Sequence, residues 1–171
     1  SSGLSDWDRA PGDWFLYRKR INGENHLYPD YRKKVFIDYC DAHDLIYEPY
    51  IQEGVFQISS GYEMACNLIN GGKLPTAIFA ASDPIAFGAI KAFTEHGIRV
   101  PEDISIVGFD DINMAQFSAP PLTTVSAPAY HMGMYGASIL QHLLREHPGP
   151  ALKIKLPCKL VVRNSCKAIE K

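Results

Sequence analysis

The residues best suited to chemistry stand in two short polar clusters, Ser82-Asp83 and Asp110-Asp111, each placed directly after an apolar run. Two adjacent carboxylates invite a general acid–base reading. A glycosidase, however, needs carboxyls roughly 5 to 10 Å apart that face one another across a bond, and neighbours leaving a strand point to opposite sides. One carboxylate gripping the hydroxyls of a polar ligand suits this pair better than two doing hydrolysis. The histidines, His26, His43, His96, His131, His142 and His147, are scattered over helix ends and surfaces and give no nucleophile–base pair and no metal-ligand spacing. Gly71-Gly72-Lys73 ends a helix, whereas a phosphate loop opens one, and G-x-G-x-x-G is absent. Phe56 offers a face that can stack on the apolar side of a sugar, although a lone Phe is more often core. The expectation is a binding protein with no catalytic residues, no metal and no cofactor.

The elements that must hold these clusters alternate. Residues 31–44 read as a helix with Val35, Phe36, Tyr39 and Cys40 on one stripe, followed by a short strand over residues 46–49. Ser59 and Ser60 precede a second helix that Gly71-Gly72 ends. Thr76-Ala77-Ile78-Phe79-Ala80 has the continuous apolar character of a strand buried on both faces. Ser82-Asp83-Pro84 starts the next helix, which runs to His96 and stops at Gly97. A turn at Val100-Pro101-Glu102-Asp103 leads into a second buried strand over residues 104–109, a loop over 110–121, a third strand over 122–125 and a long helix over 130–147. Residues 153–162 alternate like an edge strand. This order predicts an α/β fold, a parallel sheet with helices on both faces, in which ligands bind where strands end and helices begin. Both polar clusters fall at that edge. Pattern alone leaves open whether they hold a ligand or merely cap a helix and shape a turn.

Composition narrows the function classes. The 171 residues are 46% hydrophobic and 21% charged, an ordinary globular balance that is too apolar for disorder, and no run suits a membrane span. A formal net charge of −2 gives no field for coating nucleic acid. The four cysteines, Cys40, Cys66, Cys158 and Cys166, form no C-x-x-C pair, which favours a reducing, cytoplasmic setting. The opening residues lack the basic start and apolar stretch of a signal peptide and lack a clean helix or strand pattern. The expectation is therefore a fragment, with residues 1–20 an unassigned leader, 21–163 one domain and 164–171 a tail.

Three stretches carry a resemblance: Pro75-Thr76-Ala77-Ile78-Phe79-Ala80-Ala81-Ser82-Asp83-Pro84-Ile85-Ala86-Phe87-Gly88-Ala89-Ile90, then Gly97 through Asp111 with its Val107-Gly108-Phe109-Asp110-Asp111, then Pro120-Pro121-Leu122-Thr123-Thr124-Val125. In this order they resemble the LacI/GalR family of bacterial transcription regulators, and Ile21-Asn22-Gly23-Glu24 with Asp30-Tyr31-Arg32-Lys33-Lys34 looks most like its galactoside-responsive branch. The resemblance implies a two-lobed effector domain of the periplasmic-binding-protein type I fold. The chain would hold most of the C-terminal lobe and part of the N-terminal lobe, and operator DNA would be bound through a helix-turn-helix domain outside this sequence. It further implies that Arg32 grips sugar hydroxyls, Phe56 stacks on the sugar ring, Ser82 stands where many members have asparagine, and Asp110 accepts hydroxyl hydrogens. Asp83 would cap its helix and Asp111 would brace the loop.

The resemblance also implies a homodimer through the helix after Ser82 and the loop at 113–118, with Phe87, Ile90, Met114 and Phe117 at the contact. That helix is apolar nearly all round, so a face remains for a second copy unless another helix of the chain covers it. A sugar effector, a second copy and, through the missing part, operator DNA are the partners this reading implies, with no membrane. A solute-binding protein of a sugar transporter is the competing reading, since it shares the fold.

Overall fold

The computed structural model describes residues 16–21, 24–29, 31–145 and 153–168, and the chain divides into two compact units, Ser1–Ile51 and Gln52–Lys171. In the first unit, strand β1 (Leu16–Ile21) pairs antiparallel with β2 (Glu24–Pro29), Ile21 opposite Glu24. Helix α1 (Tyr31–Ala42) follows, ending earlier than expected. Of its anticipated stripe Cys40 is buried, while Val35 and Tyr39 are exposed and Phe36 meets Tyr47 edge-on at 6.4 Å. The strand expected at 46–49 is replaced by a 3-10 turn at Glu48–Tyr50, because Pro49 inside that turn has no N–H to give a strand ladder.

The second unit carries the sheet. Its strands are β3 (Ala77–Phe79), β4 (Ser105–Asp110), β5 (Thr123–Ser126) and β6 (Lys159–Val161), in spatial order β3-β4-β5-β6. The first three run parallel and β6 antiparallel, so the sheet is mixed rather than wholly parallel, a common edge arrangement in α/β folds. β3 was expected to be buried on both faces, but it closes one side of this sheet and Ala77 is exposed. β4 alternates instead, with Ile106 and Gly108 buried and Ser105, Val107 and Phe109 half-buried.

Helix α3 (Asp83–Glu95) packs on β4, and α2 (Ile58–Asn70) packs on α3. The core lies in this stack: Ala65, Ala86, Ala89, Ile90, Phe93, Ile104, Ile106 and Leu122. The two helices approach so closely that glycine is required on both. A Cβ on Gly61 would lie 2.1 Å from the Ile85 carbonyl oxygen, and one on Gly88 2.0 Å from that of Ile58. α2 begins one residue before the expected serine cap. Gln57 occupies the cap position without a side-chain bond, and the Ser60 hydroxyl, inside the helix, accepts from the Val55 N–H at 3.1 Å. Helix α4 (Ala129–Arg145) has no buried residue and exposes Met132, Met134, Leu140 and Leu144. The end of its expected span, at His147, lies outside the described residues.

Candidate functional site

Parallel pairing puts the carboxyl ends of β3, β4 and β5 at one edge of the sheet, and both polar clusters are there. Ser82 follows β3 and is the residue before α3, while Asp110 is the last residue of β4 and pairs in register with Ser126 of β5. The side chain that ties the clusters together is Asp83. It is fully buried, its Oδ2 accepts from the Ile112 N–H at 2.8 Å, and its Oδ1 accepts from the Thr124 hydroxyl at 2.6 Å. Asp83 therefore does not cap its helix, contrary to expectation. Its carboxylate turns to the neighbouring strand ends, where it finds two donors instead of the helix's own N–H groups. Gly108 makes room for it, since a Cβ there would come within 2.3 Å of Asp83 Oδ1.

Ser82 also fails to cap. It is 3% exposed and makes no side-chain cap bond, and its Oγ has no hydrogen-bond partner among the described residues. A buried hydroxyl without a partner is unfavourable, so the proline at the start of α3, not a serine cap, is what sets this helix start.

Asp110 and Asp111 both have left-handed backbone, at φ 106° and 55°, a conformation that costs a non-glycine residue of order 1–3 kcal/mol. Two such residues in succession persist only when the surroundings over-determine them. Asp111 is held by Arg163, whose Nη2 donates to Asp111 Oδ1 at 2.7 Å and whose Nη1 donates to the Leu122 carbonyl at 2.8 Å. Arg163 is itself held by its own N–H on Thr123 Oγ1 at 2.9 Å. Two residues on, the buried Ser165 hydroxyl donates to the Ile106 carbonyl at 2.6 Å and accepts from the Thr123 N–H at 2.8 Å. Asp111 thus braces the loop, and Asp110 is exposed at the edge.

The other anticipated residues lie elsewhere. Phe56 is 39% exposed in the loop before α2. Arg32 is on α1, in the first unit. His43 and His96 each place Nδ1 2.8 Å from the carbonyl oxygen four residues back, a helix-end role. Among the described residues no group of three or more His, Cys, Asp or Glu gathers to hold a metal, and the cysteines are free. Of the bracing residues, Asp83 stands in one of the two polar clusters that the sequence singles out, whereas Gly108, Thr124 and Arg163 carry no ligand-type signal there. Only the glycine two residues before Asp110 hints that something must approach the strand there.

A second feature lies on the outer side of α3. Phe87, Ile90, Lys91, Thr94 and Glu95 with Ile58, Met114, Ser118 and Ala119 line a groove of about 430 Å³. Ile90 is only 5% exposed and forms its floor as a member of the core, so α2 and the sheet already cover much of the helix's apolar surplus. Its exposed apolar lining includes Ile58 and Met114, at 50% and 57%, and Phe117, 72% exposed, stands in the chain between the lining residues Met114 and Ser118, next to the 3-10 turn Asn113–Gln116 within the expected loop.

The sequence matches the family described as Periplasmic binding protein-like domain over residues 15–166. The chain belongs to this family. It is 41% identical over 123 residues to the HTH-type transcriptional repressor PurR of Haemophilus influenzae, covering 70% of this chain and 37% of that protein. It is 39% identical over 153 residues to the HTH-type transcriptional regulator GalR of Streptococcus thermophilus, covering 88% of this chain and 46% of that protein. Among solved structures, the transcriptional regulator CelR–cellobiose complex superposes with a TM-score of 0.74 at 30% identity, covering 78% of this chain and 41% of that one. The chain thus spans less than half the length of each of these relatives. Within the family it has the form of a LacI-family effector-binding domain, with the mostly parallel sheet that the fold class predicts. Its relatives are transcriptional regulators, not enzymes. No helix among the described residues is long and apolar enough to cross a membrane.

Proposed function

We propose that this chain is the effector-binding and dimerisation portion of a sugar-responsive transcriptional regulator of the galactoside type, acting in the cytoplasm and reaching operator DNA through a helix-turn-helix domain outside this sequence. The domain spans residues 21–163. Within the second unit Phe56, Ser82 and Asp110 contact the effector, and Phe87, Ile90, Met114 and Phe117 form or support the contact between copies. The observation that carries the reading is the Asp110 edge, where an exposed carboxylate is held in left-handed backbone beside a buried, unpartnered Ser82 hydroxyl at the ligand-binding edge of an α/β sheet. A carboxylate accepting from paired hydroxyls and a hydroxyl able to donate or accept suit a sugar. A sugar that binds one conformation better than the other shifts the balance between them, and with it operator affinity. The likeness to GalR and to a cellobiose-bound regulator supports the sugar class.

The test is amide NMR titration of the chain with D-galactose, D-ribose and cellobiose. Galactose is expected to shift the amides around Ser82 and Asp110 most. Asp110→Asn should weaken binding roughly ten- to hundredfold, the effect of losing a charge-assisted hydrogen bond. Unchanged affinity in that variant removes Asp110 from the site, and a response to ribose or cellobiose but not galactose removes the galactoside assignment.

A further inference from the structure

Asp83 is fully buried, and each of its oxygens accepts from a neutral donor on a neighbouring element, the Ile112 N–H and the Thr124 hydroxyl. A buried carboxylate is costly to keep when its only partners are neutral donors. A helix start would be served at lower cost by a side chain that bonds its own first turn. The direction of the two bonds explains what it does instead. Ile112 is the first residue after the left-handed pair, and Thr124 is on β5, beside β4. From the other side, Arg163 grips Asp111 and the Leu122 carbonyl. Asp110 thus lies on a short span of chain clamped at Asp111 by Arg163 and at Ile112 by Asp83 Oδ2, and the glycine at 108 leaves room for Asp83 Oδ1, which anchors the same carboxylate to Thr124.

We infer that Asp83 is a positioning residue for the effector site: its carboxylate clamps the Ile112 amide and so holds Asp110 in the left-handed conformation that presents its side chain at the sheet edge. This rests on the reading of Asp110 as an effector contact. The mechanism is pre-organisation. A clamped carboxylate needs no ordering when ligand arrives, whereas an unclamped one relaxes toward ordinary backbone and must be returned to φ 106° on binding. Asp83 on α3 and Asp110 on β4 are thereby one unit, so a displacement of the start of α3 moves the Asp110 carboxylate directly.

The experiment uses the full chain, with amide hydrogen exchange by NMR and titration with D-galactose, on Asp83→Ala and Asp83→Asn, each with and without Asp110→Asn. Exchange at Ile112 is expected to rise about tenfold or more in Asp83→Ala and about fivefold in Asp83→Asn, whose neutral oxygen accepts a weaker bond. The amide of Ile106, bonded to Ser165 in the sheet interior, should stay protected. Galactose affinity should fall by about tenfold in Asp83→Ala, and that fall should vanish once Asp110 is already Asn. Exchange that rises equally at Ile106 and Ile112, or an affinity loss of the same size with and without Asp110, shows a merely structural role and overturns the inference. If Asp83→Ala does not fold, the isosteric Asp83→Asn decides by the same comparison of Ile112 with Ile106. Wild-type chain that ignores galactose defeats the galactoside reading alone, and the exchange data still decide whether the clamp exists.

Discussion

Ser82 and Asp103 illustrate how residues of similar polarity serve opposite ends. Burial of Ser82 Oγ without a partner costs stability that a ligand contact would offset only when ligand is bound. Ser82→Ala is therefore expected to add up to about 1 kcal/mol of stability, read as a slightly higher melting temperature, while weakening effector binding. A fall in melting temperature would mean that the hydroxyl is already satisfied. Asp103 instead is satisfied from three directions, accepting from the Arg99 N–H and Nε–H at 2.8 Å each and from Nη2 at 2.6 Å. The side-chain hydrogen bonds from Arg99 hold its carboxyl well below the ordinary carboxylate value of 3.8. Its contribution is thus fully present above pH 3.8 and is lost as pH falls toward the depressed folded value. An acid titration of stability should show a shallower acid limb in Asp103→Asn than in wild type, and the effect should be small because the pair is well exposed. Identical limbs would show that this ion pair contributes nothing measurable.

Among the elements, the closest fit is the crossing of α2 and α3. Gly61 and Gly88 bring the two backbones together without side chains between them, and that approach lets α3 lie on the sheet with its start at the ligand edge. Alanine ordinarily stabilises a helix interior by about 1 kcal/mol over glycine. In Gly88→Ala, however, the new methyl would meet backbone atoms of Ile58 and Tyr62 at 2.0 and 2.6 Å, which cannot swing away as a side-chain end would. Separation of the helices should cost about 1–3 kcal/mol, as overpacking does, and so reverse the sign of the propensity effect. Chemical denaturation gives the answer, and a Gly88→Ala variant at least as stable as wild type would contradict the close crossing. The strand that fails at residues 46–49 shows the same competition in reverse: Pro49 removes a ladder donor, and the chain forms a 3-10 turn.

At the scale of the whole molecule, the groove beside α3 bears on association. Ile90 is floor and core, so a charge placed there would be buried in the protomer and would unfold it rather than separate copies. Phe117 is the better probe, being 72% exposed beside that groove and on the opposite side of the Asp-Asp motif from β4 in sequence. Phe117→Glu is expected to convert a dimer to a monomer in sedimentation at micromolar concentration, with the Ser82–Asp110 edge unchanged in its ligand response. A wild-type chain that sediments as a monomer under the same conditions would dismiss the contact. The exposed apolar residues of α4 are a separate surface, and nothing in the described structure shows what covers them.

The sequence by itself determined the alternation of helices and strands, the edge at which the polar clusters stand, and the family, because apolar periodicity, the proline and glycine punctuation and the Val107-Gly108-Phe109-Asp110-Asp111 stretch are local patterns. The hairpin of β1 and β2 also has a local mark, since the dipeptide between the paired strands is Asn22-Gly23, a pair that favours tight hairpin turns. Which side chain does which job at the site was decided only by tertiary structure. Asp83 looks like a helix cap in the chain, and becomes a clamp because folding brings Ile112 and Thr124, 29 and 41 residues away, within reach of its oxygens. Arg163 is 52 residues from the aspartate it holds. Such partners leave no mark on local pattern, since the carboxylate takes whichever donors the packed strands present to it, and those donors exist only once β4 and β5 lie side by side.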